Sequence, residues 1–303
     1  MSGASSGDGK GYSATEAKPT KRALLLTHRA PDVTRGALPT VLSLLDEANV
    51  EVLVPAAEVV KHPTLAHYSS SDGVQLGPGG EDLILVLGGD GSILRALARE
   101  AGSGAPVIGI NHGRVGFLAS IEPKDLERGL RRALEGDYVV INLPSLRVTS
   151  SDEQIDAVND LALLRGGEAR ITDLTYAVDG EPVATVRADG LVCSTPVGST
   201  AYNLAAGGPT VSWQVPCFVV TFIAAHHLDT RPLVIGGNET LSVTNSSMVD
   251  KADLLVDGQL VGALRPGRSL TVTLGGRSVH LATFPEASFF RRYREKFGRA
   301  LSL

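Results

Sequence analysis

Cysteine is nearly absent from this chain, with two residues, Cys193 and Cys217, in 303. Both lie in apolar surroundings, and neither has metal-ligand spacing. That excludes a disulfide framework and a thiolate metal site, and reads as two buried thiols in a reducing compartment. No apolar run is long enough to cross a bilayer. The longest, Val215 to Ala225, is too short and contains a proline. No long basic run appears, and the net charge is −5. That balance argues against a dedicated nucleic-acid binder. The opening stretch MSGASSGDGKGYSATEAKPTKR has no apolar h-region. It is expected to be a disordered tail and not a secretory signal. Together these absences predict a soluble cytoplasmic protein with neither a nucleic-acid nor a membrane partner.

What remains is ample for folding. A hydrophobic content of 43% fills a core without help from metals or disulfides. RALLLTH and VEVLVP read as buried strands, with a helix between them from Arg35 to Ala48, perturbed by Pro39. DLILVLG is a continuous apolar strand, as expected for a parallel strand buried on both faces. Ile93, Leu94, Leu97, Ala98 and Ala101 then share one helical face, PVIGI is a fourth strand, and Pro123 to Glu135 is an amphipathic helix. This alternation predicts an open, mainly parallel Rossmann-like α/β sheet over residues 21–138. From 139 to 284 the chain reads as short β segments broken by turn residues, so a mainly β domain is expected there. VDGQ and LGGRS carry hairpin signals. The last stretch, ASFFRRYREKFG, is helical again, with Phe289, Tyr293 and Phe297 at every fourth position.

The chemistry starts where DLILVLG runs into GGDGS. Open α/β sheets bind ligands at the carboxyl ends of their strands. Gly88, Gly89 and Gly91 let backbone N–H groups approach an anion closely, and Ser92 can start a helix whose N-terminus favours phosphate. The turn is not a Walker A loop, because no lysine follows, and its glycine spacing is not that of the dinucleotide fingerprint. Asp90 is then a puzzle among phosphate-binding glycines. It closes a tight turn, holds Mg²⁺, or takes a proton from an attacking hydroxyl. The hairpin-turn reading is the weaker one, since a helix follows and not a return strand.

A second polar constellation runs from Arg187 to Pro209, RADGLVCSTPVGSTAYNLAAGGP. Its hydroxyls and four glycines suit a polar ligand held against backbone. A loop-rich β connection with a short helix from Ser199 is the plainer alternative. AVNDLALLRG places Asn159 and Asp160 in an otherwise apolar strand, where buried polar groups need partners. Ribose hydroxyls and a self-satisfied turn fit equally well.

GGDGS, GINHGRVGFLA, VND, DGLVCSTPVGSTAYNLAAGGP, HHLDTRPLV and VDGQ occur in the order seen in NAD kinases, and the chain resembles that family over about Arg22 to Gly298. GGDGS alone is shared with phosphofructokinases and lipid kinases, but GSTAY after DG is far more specific. The resemblance implies an enzyme of the alcohol-acceptor phosphotransferase class. It would move a phosphoryl group from ATP or polyphosphate, with Mg²⁺, to the adenosine ribose 2′-hydroxyl of NAD. Asp90 would be the general base, and Gly88, Gly89, Gly91 and Ser92 the phosphate-binding turn. Asp90, Gly91 and Arg95 would also contact NAD. Asn159 and Asp160 would bind ribose and the adenine side. Arg170, Arg187 and Asp189 would line the site at a subunit contact. Thr200, Ala201, Tyr202, Asn203, Leu204 and Ala205 would wrap the dinucleotide, and Gln259 would close it. No dedicated protein metal site is implied. The implied fold adds a β-rich NAD-binding domain and a final helix, within 285–303, packed on the first domain, in a homodimer or homotetramer. Two positions depart from the family pattern, and VSWQVPCFVVTFIAA matches it only loosely. Ala205 stands where serine is usual, and Ala225 where proline usually precedes the histidine. A lipid kinase sharing the GGDG turn, or a non-catalytic NAD(P)-binding sensor, are the rival readings.

Overall fold

The computed structural model describes residues 18–70, 82–113, 116–150, 153–167, 171–227 and 229–298. The chain begins β1 (Arg22–Thr27), α1 (Leu38–Glu47), β2 (Glu51–Val54), α2 (Ala56–Lys61) and β3 (Ser69–Ser70). It continues β4 (Asp82–Gly88), α3 (Asp90–Arg99), β5 (Val107–Asn111), α4 (Leu126–Leu134) and β6 (Val139–Leu143). Pro39 does not disturb α1. It sits in the first turn, where its missing N–H has no intrahelical partner to lose. Twelve strands and one helix follow: β7 (Leu146–Thr149), β8 (Gln154–Ala157), β9 (Asp160–Arg165), β10 (Thr172–Val178), β11 (Glu181–Ala188), β12 (Gly190–Ser194), α5 (Tyr202–Ala205), β13 (Cys217–Ile223), β14 (Leu233–Gly236), β15 (Thr240–Asn245), β16 (Ala252–Val256), β17 (Gln259–Leu264) and β18 (Ser269–Leu274). β19 (Val279–Thr283) and α6 (Phe289–Phe297) end the described chain.

The first sheet has the order β3-β2-β1-β4-β5-β19-β6 and is parallel except for the β19–β6 pair. β4 explains why its sequence shows no alternation. Leu83, Leu85 and Leu87 face one core with α1 and α4, while Ile84 and Val86 face another with α3 and α6. Every residue of β4 is buried. The chain moves outward from β1 to β2 and β3, then jumps back across β1 to β4. That reversal opens a crevice at the carboxyl ends of β1 and β4, the place where such sheets take ligands.

The remaining strands form two antiparallel six-stranded sheets, β11-β10-β15-β18-β7-β8 and β14-β13-β12-β9-β16-β17. Alternate residues such as Leu161, Leu163, Leu174, Leu191, Phe218, Val220, Leu241 and Val272 meet in a shared core between them. The expected α/β and mainly β organisation is present. β6 belongs to the first sheet, and so does β19, which the sequence placed in the β-rich part. LGGRS is accordingly not a hairpin. It carries the chain from β18 in one sheet to β19 in another. The Asp-Gly hairpins are at Asp179–Gly180 and Asp257–Gly258, all four residues having positive φ as a type I′ turn requires.

α6 returns to the first domain through its aromatic face. Phe289 contacts Phe117 and Trp213, with ring centroids 5.5 and 5.7 Å away. Phe117 and Trp213 are themselves 5.7 Å apart, edge to face. Val158, Val197, Trp213 and Phe289 all join the core of the first sheet. This cluster ties the β domain, the final helix and the crevice together.

Candidate active site

The glycine turn at the end of β4 leads straight into α3, with Gly89 as the N-cap and Asp90 as the first helical residue. The helix thus starts two residues before Ser92, the start expected from the sequence. Ser92 lies inside the first turn, buried, and accepts from Arg95 Nη2 at 3.0 Å. The negative charge of Asp90 sits at the positive end of the helix dipole, which favours it.

The carboxylate is held from the opposite side by a loop after β5. Phe117 N–H donates to Oδ2 at 2.6 Å and Leu118 N–H to Oδ1 at 2.9 Å. Gly116 makes this approach possible, because a Cβ there would lie 2.9 Å from Asp90 Oδ1. Asn111 braces the same loop, accepting from Gly113 N–H at 2.9 Å and donating to Glu122. Lys296 of α6 places its ammonium 3.9 Å from Asp90 Oδ2. His28 and His112 flank the turn, following β1 and β5 respectively. Burial, and then the neighbouring His28, hold His112 below the usual imidazole value.

Asn159 lies just before β9, and Asp160 is the first residue of that strand. Val158 and Asn159 form the bend between β8 and β9, and Asp257 pins that bend and the start of β9. Its carboxylate accepts from Val158 N–H at 3.0 Å, Asn159 N–H at 2.7 Å and Asp160 N–H at 3.3 Å. The backbone of the turn is therefore satisfied from within the protein. The side chains are not: Asn159 Oδ1 is buried without a protein partner among the described residues. Asp160 is 5% exposed. Burial, reinforced by the Asp257 charge, pushes its carboxyl up to about 7.

The GSTAY segment interlocks with this bend. Thr195 Oγ1 donates to Val158 C=O at 2.7 Å, Thr195 N–H donates to Asn159 C=O at 2.9 Å, and Gly198 N–H donates back to Thr195 Oγ1 at 3.0 Å. A Cβ at Gly198 would fall 2.1 Å from Asn159 O, so only glycine fits. Thr200 ends a 3-10 turn, Gly198–Thr200, and α5 follows. Ala201, Tyr202 and Ala205 are exposed and Leu204 is half-buried. Burial, and then the charges of Asp160 and Asp189, raise the Tyr202 phenol. Asn203 faces inward. It donates to Ser199 C=O and Pro209 C=O and accepts from Thr221 Oγ1, so its side chain shapes the loop from beneath.

The other expected residues lie further out. Arg187 is exposed and doubly bonded to Asp173, at 2.8 and 3.0 Å. Asp189 is half-buried and meets Arg165 at 3.3 Å. Gln259 opens the exposed edge strand β17, two residues past Asp257. Arg170 lies outside the described residues. Sequence reasoning missed Asp257, Gly116, the Phe117 and Leu118 N–H groups, and two cations of α6, Arg292 and Lys296. An arginine spaced three residues from Phe289, on the aromatic side of a helix, was the available signal for Arg292.

The two polar regions meet around one cluster. Phe117, which holds Asp90, shares a core with Val158 and Val197, the neighbours of Asn159 and Gly198. The glycine turn and the polar bend are thus both anchored on the same apolar cluster. Among the described residues no cluster of three potential metal ligands occurs. Among the described residues no helix is long and apolar enough to cross a membrane.

Comparison with known proteins places the chain among its relatives. The ATP-NAD kinase N-terminal domain matches residues 25–138, and the ATP-NAD kinase C-terminal domain matches residues 158–284. An NAD kinase of Corynebacterium diphtheriae is 33% identical over 284 residues, covering 90% of this chain and 89% of that protein. An NAD kinase of Heliobacterium modesticaldum is 39% identical over 220 residues, covering 71% and 78% respectively. In structure, an Archaeoglobus fulgidus NAD kinase in complex with ATP superposes with a TM-score of 0.68 at 28% identity, covering 93% of this chain and 99% of that one. The yeast NADH kinase complexed with NADH shares the fold, with a TM-score of 0.77 at 24% identity and 93% and 88% coverage. With both domains matched and the glycine turn, the bend and the GSTAY loop in place, the chain belongs to the NAD kinase family.

Proposed function

We propose that this protein transfers the terminal phosphoryl group of ATP to the adenosine ribose 2′-hydroxyl of NAD, giving NADP, with Asp90 as the general base. The observation that carries the role of Asp90 is its tether to Phe117 and Leu118 N–H, which fixes both oxygens while each keeps a lone pair. A base so held needs no reorganisation when the hydroxyl arrives. The N-terminus of α3 favours the donor phosphates, and exposed Arg95 and half-buried Lys296 add positive charge near them. Asn159, Asp160 and Tyr202 would orient the acceptor, the orphaned Asn159 Oδ1 suiting a ribose hydroxyl as donor. A divalent ion such as Mg²⁺, held mainly by the phosphates, would help neutralise the transferring group. We further propose a cytoplasmic homodimer or homotetramer, with Arg187 and Asp189 lining the site at a subunit contact and Gln259 closing over the dinucleotide.

The polar bend and the Tyr202 loop favour a dinucleotide over a lipid acceptor. One assay decides this. Phosphate transfer from ATP or polyphosphate is measured to NAD, NADH and diacylglycerol, with and without Mg²⁺. NADP formation from ATP and NAD is expected. Phosphorylation of diacylglycerol, or NAD binding with no product under any donor, would overturn the reading.

A further inference from the structure

Arg292 is a cation placed where a helix normally presents a hydrophobe. It lies on α6 between Phe289 and Phe297 and is 7% exposed. Among the described residues no carboxylate pairs with it. Its guanidinium instead donates to neutral oxygens: Phe117 C=O at 3.0 Å, Ala119 C=O, Ser120 Oγ at 3.2 Å, Thr283 Oγ1 at 2.6 Å and Ala287 C=O at 3.2 Å. Its planar face stands over Trp213, 5.8 Å from the ring centroid. Burial lowers its affinity for its proton to about 10, and the charge of Asp90 works against that loss. An uncompensated buried charge is costly, and a surface-turned side chain would avoid the cost. Three of its five bonds go to one segment, Phe117–Ser120.

That segment also holds Asp90. Phe117 C=O and Leu118 N–H belong to the same peptide group. On one side this peptide accepts from Arg292, and on the other it donates to Asp90 Oδ1. The same planar unit therefore fixes the geometry between cation and carboxylate, and the cation polarises the N–H that the carboxylate receives. Resting on the reading of Asp90 as the base, we propose that Arg292 is a positioning residue of the reaction. From the final helix it clamps the Phe117–Ser120 loop so that the two N–H groups present Asp90 to the acceptor hydroxyl. A correctly seated α6 is thereby a condition for turnover, although Arg292 touches neither substrate nor reacting atoms.

A double-mutant cycle in the full-length protein tests this. Arg292→Gln is measured in the native and the Asp90→Asn backgrounds, with kcat and KM for NAD read separately. We expect kcat to fall about ten- to hundred-fold in the native background, as a displacement of about 1 Å at a reacting group does, with KM changed less than about threefold. In the Asp90→Asn background the additional loss should shrink below about threefold, because the clamped group is no longer active. Arg292→Lys keeps the charge but not the fork, so it should recover part of the loss. Should Arg292→Gln not fold, the lysine variant carries the cycle by itself, with a several-fold loss expected only when Asp90 is present. Equal losses in both backgrounds, or a change confined to KM, would overturn the positioning role. Near-native turnover of Asp90→Asn alone would instead remove the base assignment on which it rests.

Discussion

Asp160 is expected to weaken the fold that holds it. Its carboxyl rises from an ordinary 3.8 to about 7, first through burial and then through the neighbouring Asp257 charge. A raised carboxylate binds its proton more tightly in the folded state than in the unfolded chain. Well below pH 3.8 it is protonated in both states and costs nothing. Between about pH 4 and 7 the unfolded chain ionises first, so stability falls as pH rises, and above about 7 the full cost is present. At about 1.4 kcal/mol per unit, the ceiling is roughly 4 kcal/mol. Asp160→Asn removes the charge and keeps the shape, but its amide N–H₂ needs partners, at a cost of about 1 kcal/mol. The variant should therefore gain about 1–3 kcal/mol at pH 8.5 and nothing, or a small loss, at pH 4.5. Urea denaturation at the two pH values reads this directly. Activity should move the other way, with KM for NAD rising at least tenfold, since a charge retained against stability serves the ligand. Equal destabilisation at both pH values would refute the reasoning.

Asp257→Ala removes the acceptor of three backbone N–H groups and puts alanine at a φ of 49°, so a loss of about 3–5 kcal/mol is expected in the urea midpoint. Asp257→Asn, which tolerates that φ and keeps one carbonyl, should lose less than half of this. Gly116→Ala brings a Cβ to 2.9 Å from Asp90 Oδ1. It should lower kcat about ten- to hundred-fold with near-native thermal stability; unchanged turnover would show that the loop yields without moving Asp90.

Much of the first domain was legible because its signals are local. Leu83 to Leu87 are apolar on both faces, which marks a strand covered on both sides, and the glycines after them mark its carboxyl end. The β domain was legible as strands but not as sheets. VVINL and SVHLATF look like any other β segment, yet they pair with each other in the first sheet, and alternation reports which face is buried without naming the partner strand. The site divides in the same way. Asp90, Asn159, Asp160 and Tyr202 were visible as polar residues in unusual local settings. Their anchors were not. Asp257 reaches Asn159 across 98 residues, and Arg292 reaches Phe117 across 175. VDGQ announced a hairpin, and only the fold shows that its aspartate ties down the bend before β9.

The central claim concerns the proton at Asp90. Asp90→Asn preserves the shape of the side chain and an oxygen for one of the two N–H groups, while removing the base. Steady-state turnover with ATP, Mg²⁺ and NAD, set beside an equilibrium titration of NAD binding, tests it most directly. The account predicts a turnover lowered by about a hundred- to ten-thousand-fold, with the NAD dissociation constant changed less than about threefold. Near-native turnover, or a loss explained entirely by weaker NAD binding, would contradict it.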